Sequence, residues 1–330
     1  MALVSEINSL SMNIFLRKVT DNFRGENVLF DKLIGKAKKQ NGGLAIKEPV
    51  LYQGNAANVT RWTSTDTLST TDVDRHTQLS WSPTGYSIPM KIDAWTQMLN
   101  AGSGQIVDIL KGKYENAPKD LADVMSQDMY SDGSTSKSMV GLGAVIAVTD
   151  PSPGALGGVA VADADWWKAR VFDITTGGGQ LTLDKIRTCL ITVSGGRARW
   201  EPDLMIAGMD VYGVILKRFD EAKLVQYSDP DLAQIGYKRN VIVHGVPVVL
   251  DANAPANTLL ILNTNYLDFY VWTSLDKFFD IHSGPNGFFQ TEWQRPIDAL
   301  YGVSYLLWAG AFTCNCRRAQ GKIIGIDPDL

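Results

Sequence analysis

The sequence has 330 residues, of which 45% are hydrophobic and 20% charged, so a sizeable core is available and disorder along the whole chain is excluded. Its formal net charge of −4 argues against strong electrostatic capture of free nucleic acid. Three cysteines are too few for a disulfide framework, which is consistent with synthesis in a reducing cytoplasm.

The first predicted element is a helix over residues 5–39 with a single apolar stripe. Gly25 loosens the middle of this run, and Gly42 and Gly43 end it. The apolar residues of the stripe recur at steps of three and four and are Leu16, Val19, Phe23, Phe30, Leu33 and Ala37. A helix with one apolar stripe must lay that stripe on another element.

Residues 44–92 are rich in threonine, serine, asparagine and glutamine, with short alternating apolar runs. This pattern predicts two long strands joined by a wide polar tip at residues 63–74. The stretch is too long for an ordinary loop and too polar for a core, and a two-stranded ribbon is only marginally stable alone. We therefore expect an extended hairpin that gains its stability from another subunit.

Residues 94–131 are predicted to return to helix, with a core-facing apolar stripe. Pro118 lies early in the second part of this region, and a proline inside a helix costs about 3 kcal/mol. We therefore expect a kink or a restart near Asn116. Gly133 is predicted to stop the helix at its C-terminal end.

From residue 134 onward, the sequence predicts strands with a few helices between them. The helices are expected over residues 181–193, beginning near Thr182 or Asp184, and over residues 211–219. The strands are expected at residues 203–206, twice within 241–250, and at 259–262, 267–272, 299–311 and 323–324. With no internal repeat of fixed period, the fold class is α+β.

Neither secretion nor a membrane partner is indicated by the apolar segments. The first six residues have no basic region and no long apolar core, so we expect no signal peptide. The longest apolar stretch, residues 301–312, covers about half of a membrane span and is predicted to be a buried strand.

Residue types that carry catalytic or metal chemistry are few and poorly spaced. Cys314 and Cys316 lack the second pair that a tetrahedral zinc site needs, and the three histidines His76, His244 and His282 are far apart. Aspartate pairs, typical of turns and caps, occur at Asp72/Asp74, Asp163/Asp165, Asp229/Asp231 and Asp327/Asp329. We expect no metal, no cofactor and no catalytic site; a hydrolase or transferase that uses one aspartate pair stays a less favoured alternative.

Glycine clusters and a tryptophan pair are the candidate structural residues. The clusters lack the spacing and the lysine of a nucleotide-binding loop, so they are interpreted as hinges and points of backbone contact. They are Gly141/Gly143, Gly154/Gly157/Gly158 and Gly177–179. We expect Trp166 and Trp167 to anchor the loop after the second helical region against the core.

Basic residues in two places could face nucleic acid. Lysine and arginine outnumber aspartate and glutamate in residues 1–47, although a solvated helix face explains such a run more readily. Lys111, Lys113 and Lys119 lie on the second helical region, whose aspartates and glutamate make it net negative. Contact with DNA there is expected to be loose and screened.

The order of several segments resembles the major capsid proteins of tailed bacteriophages, whose fold is shared with bacterial encapsulin shells. Residues 116–133 resemble the end of the family's long spine helix, and residues 140–143 the strand and loop that follow it. Residues 157–167 resemble the family's glycine pair followed by tryptophan. Further similar segments are 181–190 and 202–206 in the axial domain, 246–251 and 260–263 on the return to the peripheral domain, and 317–325 as the closing strand.

The resemblance implies a domain organisation. Residues 1–43 would form an N-terminal arm and residues 44–92 an extended hairpin loop that reaches over a neighbouring subunit. The peripheral domain would contain residues 93–180 and 256–330, with a spine helix at about 104–131. Residues 181–255 would form the axial domain at the symmetry axis of each capsomer.

The resemblance also implies a structural role. Copies of the chain would form pentamers and hexamers that close into an icosahedral shell around double-stranded DNA, with scaffolding, portal and decoration proteins as further partners. The protein would be synthesised in the host cytoplasm and would reside in the virion. An encapsulin-like shell that packages protein cargo is the alternative.

Two departures from relatives bear on assembly. Some relatives carry a long N-terminal scaffolding segment, whereas this sequence opens directly into the arm helix, which leaves open a separate scaffolding protein or a removed leader. Some relatives cross-link through a lysine near the hairpin tip, but here no lysine occurs between Lys47 and Lys91.

We therefore predict that mature particles contain no isopeptide bond formed from the hairpin tip, because the required amine is missing. Denaturing gel electrophoresis of purified particles should show the subunit at its single-chain mass. A covalent ladder that peptide mapping traces to the hairpin would contradict this prediction.

Overall fold

The computed structural model describes residues 28–99, 109–150, 154–221, 241–273, 282–283, 287–298 and 300–329. In the first half, a short helix and strand lead into a hairpin and then into a long helix. The elements are α1 (Val28–Ile34), β1 (Lys38–Gln40), β2 (Ile46–Leu51), β3 (His76–Trp81), β4 (Thr84–Asp93), α2 (Ala94–Leu99), α3 (Ile109–Tyr130) and α4 (Leu142–Val145).

The second half of the chain alternates strands with two helices. Its elements are β5 (Arg170–Asp173), α5 (Leu183–Ser194), β6 (Leu204–Ala207), α6 (Met209–Glu221), β7 (Val241–Val243), β8 (Val246–Leu250), β9 (Thr258–Leu262), β10 (Leu267–Trp272), β11 (His282–Ser283), β12 (Phe289–Gln290), β13 (Tyr301–Cys314) and β14 (Gly321–Ile324). The α+β fold class is thereby confirmed. The strands and helices predicted from residue 181 onward are also present, with boundaries shifted by a few residues.

Strand β13 organises the first sheet. It pairs antiparallel with β4 from Tyr301↔Asp93 to Gly310↔Thr84. On its other edge it pairs with β10 and β12, to which β1 and β11 are added. Because β13 is fourteen residues long, it can serve partners on both edges at different positions along its length.

The second sheet has the strand order β5-β14-β9-β6-β8-β7 and is covered on both faces. Every residue of β6 and β9 is buried, as expected for strands between two apolar layers. Ile206 and Leu260 point into a core shared with α1, α3 and the first sheet, whereas Met205 and Ile261 point into a second core with α5 and α6. The two cores are therefore separated by one sheet.

The predicted helix 5–39 is wrong at its C-terminal end, and its residues before 28 lie outside the described part of the chain. Helix α1 ends at Ile34, and residues 38–40 form a strand that pairs parallel with β10. The Nζ of Lys38 lies 2.7 Å from the carboxylate of Asp268 on that strand. Pairing with the sheet has overridden the helical periodicity.

Helix α3 confirms the long second helix, but the restart predicted near Asn116 is wrong. The helix runs from Ile109 to Tyr130 with Pro118 inside it, and residues 100–108 lie outside the described part. Buried side chains occur on one face before and after the proline, at Ala117, Leu121, Met125 and Met129. Continuous packing of this face compensates for the backbone hydrogen bond that proline cannot make.

The strand expected at residues 140–143 is also wrong, since residues 142–145 form helix α4. The two glycines here are points of close contact with the end of α3. A Cβ on Gly141 would lie 2.6 Å from the Ser131 carbonyl oxygen and 2.7 Å from that of Met129. The Gly143 amide donates to the Ser131 carbonyl over 3.0 Å, so α4 docks on the carbonyl end of α3.

The proposed hairpin loop at residues 44–92 contains two structural parts. Strands β2 and β3 form a separate antiparallel pair from Ile46↔Trp81 to Leu51↔His76, which confirms the predicted two-stranded hairpin. Strand β4 instead belongs to the first sheet through its pairing with β13. The ribbon itself therefore ends at residue 81.

We expect Gly141→Ala to lower the free energy of unfolding by about 1–3 kcal/mol, because the added methyl group overlaps carbonyl oxygens that cannot rotate away. Urea unfolding of unassembled subunits measures this. Gly112→Ala is the matched control, since nothing lies within 4 Å of its Cβ position and alanine favours helix. Equal effects of the two substitutions would contradict the close-contact role of Gly141.

Candidate assembly surfaces

The hairpin is a largely exposed element of the described part of the chain. Beyond β2 and β3, the ribbon continues through the Tyr52 amide, which donates to the Arg75 carbonyl over 3.0 Å. Farther out, Asn55 Nδ2 donates to Asp72 Oδ1 over 2.9 Å. Nine residue steps separate Ile46 from Asn55, so the hydrogen-bonded part spans about 30 Å at strand rise.

The root of the hairpin is buried, whereas its outer part exposes apolar side chains. Ile46, Leu79 and Trp81 join the first core. Leu51 and Trp62 are 64% and 65% exposed, and Val59 and Leu68 are similarly exposed. Because so much apolar surface on a polar ribbon is unfavourable in water, it indicates a surface that another molecule covers.

A second exposed apolar group lies where β4 leaves the first sheet. The Ala94 amide donates to the Leu300 carbonyl over 2.9 Å and so joins α2 to the beginning of β13. Trp95 and Met98 on α2 and Ile297 and Leu300 beside β13 are all more than half exposed.

Glu48 connects the hairpin root to the first sheet. Tyr270 donates its hydroxyl to Glu48 Oε1 over 3.0 Å, and the Thr313 hydroxyl lies 3.4 Å from the same oxygen. Glu48 Oε2 is buried with no hydrogen-bond partner among the described residues. Burial raises the pKa of Glu48, while the hydrogen bond from Tyr270 acts in the opposite direction.

Arg317 is the centre of the contacts that follow helix α3. Its side chain is fully buried, and its guanidinium donates to the carbonyl oxygens of Val145 over 2.8 Å and Ala147 over 2.9 Å. The guanidinium also lies 5.6 Å from the centre of the Trp167 ring. A buried cation held by carbonyls at the end of α4 fixes the segment that follows α3. Sequence reasoning missed this role, because an arginine pair near a strand end carries no local signal of burial.

The structure brings together four of the six residues singled out from the sequence. Trp167 Nε1 donates to the Leu156 carbonyl over 3.1 Å, and Leu156 begins the short 3-10 turn that contains Gly157 and Gly158. Both glycines have positive φ, at 67° and 81°. The ring centre of Trp166 lies 5.4 Å from that of Trp167 and 5.8 Å from that of Tyr52 in the hairpin, with the rings tilted in both pairs.

Gly133 and Pro118 make none of these contacts, although Gly133 lines a surface cavity that Gly157 and Gly158 also line. Pro118 is inside α3, and Gly133 has a positive φ of 78° in the turn after it. Helix α3 ends at Tyr130, three residues before Gly133, so the glycine shapes the turn rather than ending the helix directly.

Reactive side chains do not converge within the described part of the chain. No group of three or more histidine, cysteine, aspartate or glutamate side chains there could hold a metal ion. Burial raises the pKa of the Cys189 thiol to about 11 and also raises the pKa of Cys314 and Cys316, which disfavours their nucleophilic thiolates.

The aspartates of the predicted pairs mostly make local contacts. Asp72 pairs with Arg75 at 3.0 Å and Asp165 pairs with Lys168 at 2.7 Å. Asp327 accepts from the Asp329 amide over 3.0 Å. These are turn and cap contacts, as predicted, while Asp229 and Asp231 lie outside the described residues.

Several of the described lysines that could face nucleic acid make contacts within the chain. Lys32 lies 3.8 Å from Asp203, and Lys113 donates to the Lys91 carbonyl. The side chains of Lys111, Arg17, Lys18 and Arg24 lie outside the described part of the chain, whereas those of Lys36, Lys39, Lys47 and Lys119 are described and exposed. In the described part, no helix is both long and apolar enough to cross a membrane.

Solved structures share the fold of this chain, although comparisons of its sequence find no match. No protein-family model matches the sequence, and no curated protein matches it. The capsid of cyanophage A-1(L) has a TM-score of 0.76 at 16% identity, covering 96% of this chain and 98% of that chain. The capsid of a native GTA particle has a TM-score of 0.66 at 13% identity and covers 98% of both chains. The holo-SrpI encapsulin complex of Synechococcus elongatus has a TM-score of 0.64 at 9% identity, covering 99% of this chain and 96% of that chain.

The chain has the tailed-phage major capsid fold. The likeness extends over almost the whole chain. The encapsulin shares the fold at nearly the same coverage, as the sequence resemblance implied.

In this capsid fold, Trp167→Ala should lower the free energy of unfolding by about 3–5 kcal/mol, because it removes a buried ring and the support of Arg317. Trp166→Ala, at a half-buried ring, should cost about 1–2 kcal/mol. Denaturant unfolding of subunits measures both, with Trp95→Ala, at a 65% exposed ring, as the control. A Trp166/Trp167 double alanine variant that stays soluble, folds fully and assembles would refute the anchor role.

Glu48→Gln should raise the stability of the fold at higher pH. The pKa of Glu48 is raised in the folded state, so this residue contributes fully to the free energy of unfolding at pH values below its pKa in the unfolded chain. That contribution is lost as pH rises through its pKa in the folded protein. Glutamine keeps an acceptor for the Tyr270 hydroxyl but carries no charge. We expect the variant and the wild type to be equally stable near about pH 4 and the variant to be more stable near about pH 8.

Thermal unfolding at the two pH values measures this difference, with the exposed Glu201→Gln as the control. An advantage of Glu48→Gln that shrinks as pH rises would contradict the assigned direction.

Proposed function

We propose that this chain is the major capsid protein of a tailed phage. In this role it assembles with itself into hexamers and pentamers that close into an icosahedral shell around double-stranded DNA, and it resides in the virion after synthesis in the host cytoplasm. The observation that carries the proposal is the capsid fold over nearly the whole chain, together with a long hairpin whose outer apolar side chains are uncovered. No catalytic role is proposed.

The hairpin supports assembly through its geometry. The hairpin projects from the subunit as a separate two-stranded ribbon. Its outer part and the surface of the neighbouring subunit that receives it are therefore formed by different residues of the chain. Contacts between two different patches repeat from one subunit to the next and can close a ring. Each contact can be weak, because many copies in a closed shell stabilise one another.

Contact with packaged DNA is proposed to be loose and non-specific. The chain is net negative, and Lys32 and Lys38 lie beside aspartates of the same subunit. Scaffolding, portal and decoration proteins remain proposed partners that follow from the phage assignment.

The domain assignment is likewise a proposal. The axial domain, residues 181–255, contains α5, α6 and β6–β8, which enclose most of the second core. The peripheral domain, residues 93–180 and 256–330, contains α3 and most of the first sheet. Residues 1–43 are proposed as the N-terminal arm and 44–92 as the hairpin region, of which 46–81 form the ribbon.

A shell that packages protein is the second candidate, because an encapsulin shares the fold at 99% coverage of this chain. The contents of purified particles distinguish the two functions. Nuclease-protected DNA supports the phage capsid, whereas particles that contain a second protein and no nucleic acid support the encapsulin-like shell.

Removal of the outer hairpin tests the proposed function. Residues 56–71 are replaced by Gly-Ser-Gly, which leaves the hydrogen-bonded pair Asn55 and Asp72 to close the shorter ribbon. We expect the shortened subunit to unfold at a temperature close to that of the wild type but to sediment as a subunit or small oligomer. Wild type and the control Thr70→Ala should sediment as shells.

Two results would contradict the proposal. One is a wild-type protein that stays a monomer under all assembly conditions. The other is a shortened variant that forms shells with wild-type yield.

A further inference from the structure

A cleft with three arginines lies between the root of the hairpin and the segment that follows α5. Its volume is about 660 Å³, and hairpin residues 49–54 line one side of it. Arg197, Arg199 and Arg318 line the other side together with Trp200. A cavity of this volume is in the range of sites that hold small molecules. The arginines therefore surround a space that a ligand can occupy.

No carboxylate neutralises these three guanidinium groups within the described part of the chain. None of the described residues that line the cleft is an aspartate or a glutamate. None of the ion pairs among the described residues involves Arg197, Arg199 or Arg318. Asp165 lies close enough to feel the charge of Arg318, but it pairs with Lys168 over 2.7 Å and does not line the cleft. The cleft therefore carries uncompensated positive charge.

Two further titratable side chains of the lining stay neutral. Burial raises the pKa of Cys316, so its thiol keeps its proton at neutral pH. Burial also raises the pKa of Tyr266, whereas Arg199 and a hydrogen bond from Trp200 act in the opposite direction. The Tyr266 hydroxyl therefore also keeps its proton and can donate a hydrogen bond.

Acidic side chains of the hairpin lie outside the cleft. Asp72 makes an ion pair within the hairpin. Asp74 and Asp163 line a separate cavity of about 420 Å³, which shares only Tyr52 and Trp166 with the cleft among the described residues. The centres of these two rings lie 5.8 Å apart. The ring pair therefore stands between the arginines and these two carboxylates.

The arginines are positioned before any ligand arrives. The Cζ of Arg197 lies 4.4 Å from the centre of the Trp200 ring and that of Arg318 lies 5.3 Å from it. A guanidinium group on an aromatic face is restricted, yet its edge N–H groups remain free to donate. The buried Asn263 also holds the backbone here, because its Nδ2 donates to the Arg199 carbonyl over 3.2 Å.

This arrangement is better suited to phosphate groups than to a single carboxylate. A carboxylate has one negative charge and two acceptor oxygens in one plane. A terminal phosphate group has about two negative charges and three acceptor oxygens. Several guanidinium groups can therefore donate to different oxygens of the same phosphate group or of linked phosphate groups.

We propose that the arginine cleft, formed by Arg197, Arg199 and Arg318, binds the phosphate groups of a small anion or of a single nucleic-acid strand, with the Tyr266 hydroxyl as a further donor. This inference goes beyond the proposed function and does not require shell formation. Bound phosphate offsets the repulsion among the three arginines, and it stabilises the folded subunit because the unfolded chain has no such cleft.

Isothermal titration calorimetry of full-length, unassembled subunits with sodium pyrophosphate tests the proposal. We expect saturable binding that weakens as sodium chloride is added, and no binding of sodium acetate at the same concentration. The variant with Arg197→Gln and Arg199→Gln changes two exposed side chains, so it should fold normally. It should bind pyrophosphate about tenfold or more weakly, because it loses charged hydrogen-bond donors.

Two further variants separate a built phosphate site from general positive charge. Arg187→Gln removes an exposed arginine of α5 outside the cleft and should bind pyrophosphate like the wild type. The variant with Arg197→Lys and Arg199→Lys keeps the charge but loses the planar guanidinium groups. It should bind more weakly than the wild type and more tightly than the glutamine variant. A lysine variant that binds like the wild type would overturn recognition by positioned guanidinium groups.

A thymidine oligonucleotide without terminal phosphates distinguishes the two sources of phosphate. If pyrophosphate binds and the oligonucleotide does not, the ligand is a small free anion. If both bind and the glutamine variant weakens both, the cleft also accepts a nucleic-acid backbone. The proposal is overturned if neither ligand binds, if acetate binds as pyrophosphate does, or if the glutamine variant binds like the wild type. The capsid function stands in each of these cases, since sedimentation of shells measures it separately.

Discussion

The burial of one cation, Arg317, is the constraint on which the arrangement of the subunit depends. Its guanidinium has no salt-bridge partner in the described part of the chain and is instead held by carbonyl oxygens of Val145 and Ala147 at the end of α4. An uncompensated buried charge is costly, so these carbonyls and the ring of Trp167 must stay in place. Arg317 also lies in the connection between β13 and β14, and it thereby fixes the segment after α3 to the junction of the two sheets.

A subunit fixed in this way can present a long hairpin without distorting its core. The root of the ribbon is held by buried Leu79 and Trp81, while Leu51 and Trp62 farther out remain exposed. Rigid support at one end and uncovered apolar surface at the other are what a protein needs to bind its own neighbours.

Features governed by local pattern were predictable from the sequence, and features governed by distant contacts were not. Alternating polarity predicted the hairpin, and polar caps and periodicity predicted the helix after Thr182. By contrast, residues 38–40 carry helical spacing but pair with β10, and the Gly141 segment is helical because it docks on α3. Arg317 was not singled out, since burial of an arginine is decided by carbonyls about 170 positions away in the chain.

The central claim is that the subunit builds a closed shell through its hairpin, and cryo-electron microscopy of particles formed by the full-length protein tests it most directly. The account predicts closed icosahedral particles in which the hairpin of each subunit lies across another subunit. Separate subunits, open filaments, or shells in which each hairpin folds back on its own subunit would contradict it.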